Sequence, residues 1–166
     1  MRALTLPWLL VGTALLALGC ENDAPSAVVS QPALTAASPG WHLANLTSYT
    51  SYPDPGSEEC INYSGCQYAG YFAALSGQQP LSWVQATNIA AVHSNDYPTY
   101  ELKTLRIRQG SFQIDATVYD MCSDADCGGC CTQNASQTGF LIDLEYFTAV
   151  RFGSTSGVVE WQCIDC

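Results

Sequence analysis

The chain has 166 residues and a mass of 17.8 kDa, enough for one ordinary domain and a short appendage. Hydrophobic residues at 48% exclude a wholly disordered chain, while charged residues at 12% leave solubility to Ser, Thr, Asn and Gln. With 5 basic residues, Lys103 the one lysine, against 15 acidic ones, the net charge of −10 argues against nucleic-acid binding through a basic face.

Residues 1–19 read as an export signal: Arg2, an apolar run from Ala3 to Leu18 broken by Pro7, then small residues. The following Leu16-Ala17-Leu18-Gly19-Cys20 resembles a bacterial lipobox, in which the cysteine takes a lipid and becomes the mature N-terminus. Ala17 departs from the branched aliphatic that is commonest there, and ordinary cleavage after Gly19 is the alternative. Parity favours lipidation. Removing Cys20 from the 9 cysteines leaves Cys60, Cys66, Cys122, Cys127, Cys130, Cys131, Cys163 and Cys166, an even set that disulfides can close completely in an oxidising compartment. Glu21 after the cysteine resembles lipoproteins that are not retained at the inner membrane, so the expected location is the outer membrane or cell surface.

Residues 20–40 carry Ala24-Pro25-Ser26, Gln31-Pro32-Ala33 and Ser38-Pro39-Gly40 and read as a tether spanning roughly 25 Å. The expected membrane association is through this anchor alone. Residues 41–166 then form the folded part, expected to be a monomer.

Its patterning is mostly period-two. Phe112, Ile114, Ala116 and Val118 share one face of a strand over 111–119, and Leu105 and Ile107 point inward between Arg106 and Arg108. The stretch 83–92 is apolar and β-rich, and 157–163 closes the chain as a strand with Val159 and Trp161 inward. Two short helices are expected, one over 68–75 and one over about 144–152 with Asp143 at its N-cap. Six or so short strands with one or two helical turns predict a mainly β fold, a small closed barrel stapled by disulfides.

The segment Leu141-Ile142-Asp143-Leu144-Glu145-Tyr146-Phe147, followed by Gly157-Val158-Val159-Glu160-Trp161, resembles the expansin double-psi β-barrel, with its Asp-Leu-Ser helix start and closing Trp strand. Upstream, Thr117-Val118-Tyr119-Asp120-Met121-Cys122-Ser123-Asp124 resembles that family's strand ending in Val-x-Asp. The order and spacing agree over residues 41–166. Glu145 stands where the family usually has Ser, the Cys127-Gly128-Gly129-Cys130-Cys131 loop is longer and richer in cysteine, and the second domain of full expansins is absent. Family 45 endoglucanases, rare lipoprotein A and barwin-type proteins share the barrel, so fold alone does not fix function.

The resemblance implies that Asp120 and Asp143 line a polysaccharide groove. The residue matching Asp143 is required for activity in expansins and is the general acid in family 45 hydrolases. A carboxyl on an apolar groove floor has a raised pKa and could protonate a glycosidic oxygen. The plainer roles are helix capping for Asp143 and a strand-end turn for Asp120. Inverting hydrolysis also needs a base roughly 6.5–9.5 Å from the acid. Thr50-Ser51-Tyr52-Pro53-Asp54 fits the family 45 pattern that carries it, yet Tyr-Pro-Asp-Pro-Gly is equally a turn sequence. Expansins lack that base and keep a Thr-Tyr pair, which Ser48-Tyr49-Thr50 or Thr47-Ser48-Tyr49 could supply.

Tyr49, Thr50, Tyr52, Tyr119, Asp124 and Tyr146 are the expected polysaccharide contacts, their rings stacking on sugar faces where they are not partial core. Zinc held by Cys127-x-x-Cys130 and Cys163-x-x-Cys166 is the lesser reading, since 32 residues separate the pairs and export favours oxidation. No metal or other cofactor is expected, and His42 and His93 have no catalytic partners in sequence. The resulting expectation is an exported, expansin-like protein that loosens wall polysaccharide without cutting it. Loss of Arg2 takes the net charge from −10 to −11, which favours neutral β-glucans over anionic polymers. The alternatives are an inverting endoglucanase with Asp143 as acid and Asp54 as base, a lytic transglycosylase acting on peptidoglycan, and a structural module.

Overall fold

A computed structural model describes residues 37, 38, 40–63 and 65–166. The export signal, Cys20 and nearly all of the tether lie outside the described residues.

Six strands, β1 (His42–Tyr49), β2 (Ile89–His93), β3 (Thr104–Gln109), β4 (Phe112–Cys122), β5 (Leu141–Glu145) and β6 (Gly157–Cys163), close a barrel in the order β1-β5-β2-β4-β3-β6. β1–β5 and β2–β4 are parallel pairs, and the other four pairings are antiparallel. A closed, mixed, six-stranded order of this kind is consistent with the double-psi barrel expected from the sequence. The strands alternate as their sequences do. Leu105, Ile107, Ala116, Val118, Val159 and Trp161 are buried inside, joined by Ala44, Leu46, Ala90, Val92, Ile142 and Leu144. Each large aliphatic side chain here contributes about 1.5–3 kcal/mol by leaving water. Outward, Arg106 meets Asp115 at 2.8 Å and Arg108 meets Glu160 at 2.9 Å.

A second, smaller cluster lies outside the barrel. Phe72, Val84 and Ile89 are buried there, with Tyr49, Tyr52, Leu75, Trp83, Tyr119 and Phe147 packed against them. It holds the long β1–β2 connection onto the barrel wall, and this is where the structure departs most from the sequence reading. No helix forms over 68–75. A 3₁₀ turn ends at Tyr68, and the chain then runs irregularly, tied by Gly70 N–H to the Ser51 carbonyl, Gln79 N–H to the Gly70 carbonyl and Ala74 N–H to the Tyr119 carbonyl. Gly70 sits at φ +73°, a conformation open to glycine, and so breaks any helix there.

The apolar stretch 83–92 is likewise two elements. After α1 (Glu58–Asn62), helix α2 (Leu81–Ala86) starts behind Pro80, whose fixed φ suits a helix entry, and β2 begins only at Ile89. Four more short helices follow: α3 (Tyr97–Tyr100), α4 (Asp124–Cys127), α5 (Cys130–Ala135) and α6 (Tyr146–Phe152). In α6 the cap is Glu145, whose carboxylate accepts from Phe147 N–H at 2.7 Å. Asp143 is therefore not a helix cap: it stands in the middle of β5.

Four disulfides join Cys60–Cys66, Cys122–Cys131, Cys127–Cys130 and Cys163–Cys166. Each Cys-x-x-Cys pair closes on itself.

Candidate functional site

On β2, Ala90 and Val92 point into the barrel, so Ala91 between them faces outward. Its neighbours in register are Asp143 on β5 and Asp120 on β4, and Asp143 in turn sits beside Thr47 on β1. The four strands thus lay a row Thr47–Asp143–Ala91–Asp120 across the outer wall. Asp120 reaches this row through a β-bulge. Ala90 pairs with Val118 but Ala91 pairs with Asp120, so Tyr119 is an extra residue on β4. Without it, strict alternation would place Asp120 on the same inward face as Val118; a bulge re-aims the side chain. The two aspartate α-carbons are two strand spacings apart, about 9–10 Å. Ala91, the small residue between them, is itself buried, at 3% exposed.

The two carboxyls are held differently. Thr47 Oγ1 donates to Asp143 Oδ1 at 2.8 Å. Asp120 Oδ1 accepts from Ala73 N–H at 3.1 Å and from Met121 N–H at 3.0 Å, which ties it to the β1–β2 connection. Burial pushes the Asp143 pKa up to about 7, the negative charges of Asp120 and Glu59 adding to it and the Thr47 bond opposing it. Burial also pushes Asp120 up to about 6, against the pull of its two backbone N–H donors and of Tyr49. Both carboxyls therefore change protonation near neutrality, and Asp143 feels the charge of Asp120.

Tyr49 completes the site. Its hydroxyl is enclosed and has no hydrogen-bond partner among the described residues, although it faces the Asp120 carboxyl. Burial, then Asp120, Asp143 and Glu145, hold the phenol well above its usual range. Glu145 lies beneath, fully buried, with Ser51 Oγ donating to Oε1 at 2.9 Å and Phe147 N–H to Oε2.

The other expected residues are placed as follows. Thr50 follows directly after β1, and Tyr52 packs in the outer cluster, its hydroxyl bonded to the Gln79 carbonyl. Tyr119 lies in the same cluster, edge-on to Trp83 at 5.4 Å. Tyr146 is exposed at the start of α6. Asp124 is engaged by the Thr132 N–H at 2.9 Å, the Thr132 hydroxyl at 2.5 Å and His93 Nε2 at 3.4 Å. Asp54 is exposed, and its carbonyl accepts from Ser57 N–H as in a turn.

Two participants escaped the sequence reading. Glu59, on α1, is raised by burial and is felt by Asp143; no motif surrounds it, and only its place beside the Cys60–Cys66 staple could have drawn notice. Glu145 could have been found from its departure from the family's Ser. Among the described residues, the constellations with metal-ligand spacing are all built on cysteines that are already in disulfides.

No protein-family model matches the chain, and no curated protein matches it. Among solved structures it is similar to the crystal structure of apo Clavibacter michiganensis expansin, at 14% identity and a TM-score of 0.42, over 75% of this chain and 50% of that one. The chain thus spans about half the length of that structure, and a likeness this distant names no activity for it.

Proposed function

We propose that this is an exported, lipid-anchored, expansin-like protein that binds neutral wall β-glucan across the Thr47–Asp143–Ala91–Asp120 row and loosens it without cleavage. One observation carries the reading: the row sets a proton donor, Asp143, beside a carboxylate, Asp120, that two backbone N–H groups already hold. Asp143 holds its proton up to about pH 7 and keeps Oδ2 clear of Thr47, so it can donate to a sugar hydroxyl. Asp120 has one oxygen held by two backbone N–H groups and faces the Tyr49 hydroxyl, which sets it to position rather than to deprotonate a water. Donating and accepting groups about two strand spacings apart suit hydroxyls on adjacent sugars, which compete with glucan–glucan hydrogen bonds.

The raised pKa of Asp143 also favours a second reading, in which it is the acid of an inverting hydrolase or of a lytic transglycosylase acting on peptidoglycan. The deciding experiment incubates the protein and Asp143→Asn with amorphous cellulose, xyloglucan and peptidoglycan. The proposal expects sedimentation with a glucan, no soluble fragments, and weaker sedimentation of the variant. New reducing ends that vanish in the variant would establish hydrolysis instead. Soluble fragments without reducing ends would point to a transglycosylase. For the anchor, mass spectrometry of the mature N-terminal peptide should find a diacylglyceryl group on Cys20; an unmodified cysteine there overturns that part.

A further inference from the structure

Apart from the acidic row, the fold gathers four cysteines into one cluster. Cys122 ends β4, Cys127 ends α4, and Cys130 and Cys131 open α5. Their two disulfides, Cys122–Cys131 and Cys127–Cys130, lie against each other. Cys131 Sγ is 3.7 Å from Cys127 Sγ and 3.8 Å from Cys130 Sγ, and the sulfurs of Cys122, Cys130 and Cys131 all lie within 4.8 Å of one another. Every sulfur of one bond is therefore within reach of a sulfur of the other. Cys60–Cys66 and Cys163–Cys166 have no such neighbour among the described residues.

We propose that the Cys127-Gly128-Gly129-Cys130 loop is a thiol–disulfide exchange site, at which an external thiolate interconverts the pairing Cys122–Cys131/Cys127–Cys130 with Cys127–Cys131/Cys122–Cys130. The external thiolate attacks Cys130 Sγ, forms a mixed disulfide there and expels Cys127 as thiolate. That leaving group is assisted, because Cys130 N–H donates to Cys127 Sγ at 3.2 Å. The Cys127 thiolate attacks Cys131 Sγ, and the Cys122–Cys131 bond breaks with Cys122 leaving as thiolate. Cys122 then attacks Cys130 Sγ and releases the external thiolate. Two disulfides are present before and after, nothing is oxidised or reduced overall, and the thiol acts as catalyst.

Access is built in. Gly128 and Gly129 sit at φ +65° and +96°, and a Cβ added at either meets nothing within 4 Å, so the loop stands open to an approaching thiol. Cys131, by contrast, is fully buried, so an incoming thiol reaches it only through the loop's own sulfurs. The Asp124 carboxylate, within 4.8 Å of the Cys127 and Cys131 sulfurs, opposes a long-lived thiolate and favours rapid onward transfer. Cys122 lies two residues beyond Asp120, so exchange re-ties the end of the strand that carries the candidate site. This inference does not depend on what the site binds.

The test uses the oxidised protein with substoichiometric reduced glutathione under anaerobic conditions, acid quenching at intervals, and disulfide mapping by fragmentation between Cys130 and Cys131. The expected result is a Cys127–Cys131 crosslink that accumulates at least about tenfold faster than any crosslink joining this cluster to Cys60, Cys66, Cys163 or Cys166. A second arm replaces Cys130→Ser, which leaves one cluster thiol. Brief alkylation should then find label on Cys122 as well as Cys127. Unchanged pairing in the first arm, with label confined to Cys127 in the second, would overturn the proposal.

Discussion

Asp143 carries a cost that its replacement should reveal. Its carboxyl ionises more readily in the unfolded chain, near pH 4, than in the folded protein, near pH 7. Between those values the folded state binds more protons, so stability falls as pH climbs through that window and stays lower above it. Asp143→Asn keeps an acceptor for the Thr47 hydroxyl and removes the ionisation. The variant should therefore be more stable than wild type at pH 8, by about 1–2 kcal/mol after allowance for solvent access, and the difference should vanish towards pH 4. Thermal unfolding at both pH values checks this, and a variant less stable at pH 8 would contradict the placement of Asp143 as a desolvated acid. Tyr49 makes the companion case. Its enclosed hydroxyl reaches no partner at full hydrogen-bond geometry and faces the Asp120 carboxyl, so Tyr49→Phe removes a buried polar group whose tie to Asp120 is weak. Stability should hold or rise by about 1 kcal/mol. Glucan sedimentation should weaken if that hydroxyl serves the bound sugar. A loss above about 2 kcal/mol in denaturant titration would mean instead that the hydroxyl is bonded in the folded protein.

At the level of elements, β3, β4 and β6 were legible because each has one face in the barrel core, and alternation reports that directly. Leu105, Ile107, Ala116, Val118, Val159 and Trp161 are inside as their spacing requires. The β1–β2 connection was not legible. Its residues answer to the outer cluster of Phe72, Val84 and Ile89, and no local period records packing against a distant wall. The bulge at Tyr119 is harder still: alternation alone sends Asp120 inward with Val118, and only the pairing with Ala91 turns it to the site. Motif likeness pointed to Asp120 and Asp143, but the physical reason both fall in one outward row is this single extra residue. The connection is pinned at Gly70, where a Cβ would meet the Tyr52 hydroxyl and the Gln79 carbonyl at a positive φ. Gly70→Ala should cost about 2–3 kcal/mol and loosen the segment that bonds Asp120 through Ala73. The measurements are thermal unfolding and proteolysis: early cleavage within 69–79 is expected, and a variant as stable and resistant as wild type would show that the segment adapts freely.

For the whole molecule, charge separates the polymers this protein could meet. A net charge of −10, with 5 basic residues in the entire chain, sets up a negative field that the acidic row reinforces locally. A neutral glucan feels none of it, because its hydroxyls are recognised by short-range hydrogen bonds and ring stacking. An anionic wall polymer is repelled over the screening distance, which is about 10 Å at 0.1 M salt and about 3 Å at 1 M. Binding to a neutral β-glucan should therefore change less than about twofold between low and high ionic strength, while any binding to an anionic polymer should rise several-fold as salt is added. Sedimentation of the protein with xyloglucan-coated and pectin- or peptidoglycan-rich walls across a salt series reads both at once. Affinity for the anionic wall that falls with salt would require an attractive cationic surface. The described residues offer little for one: Arg106, Arg108 and Arg151 are engaged by Asp115, by Glu160, and by Asn88 with the Gln85 and Thr87 carbonyls, and Lys103 by the Asp165 carbonyl.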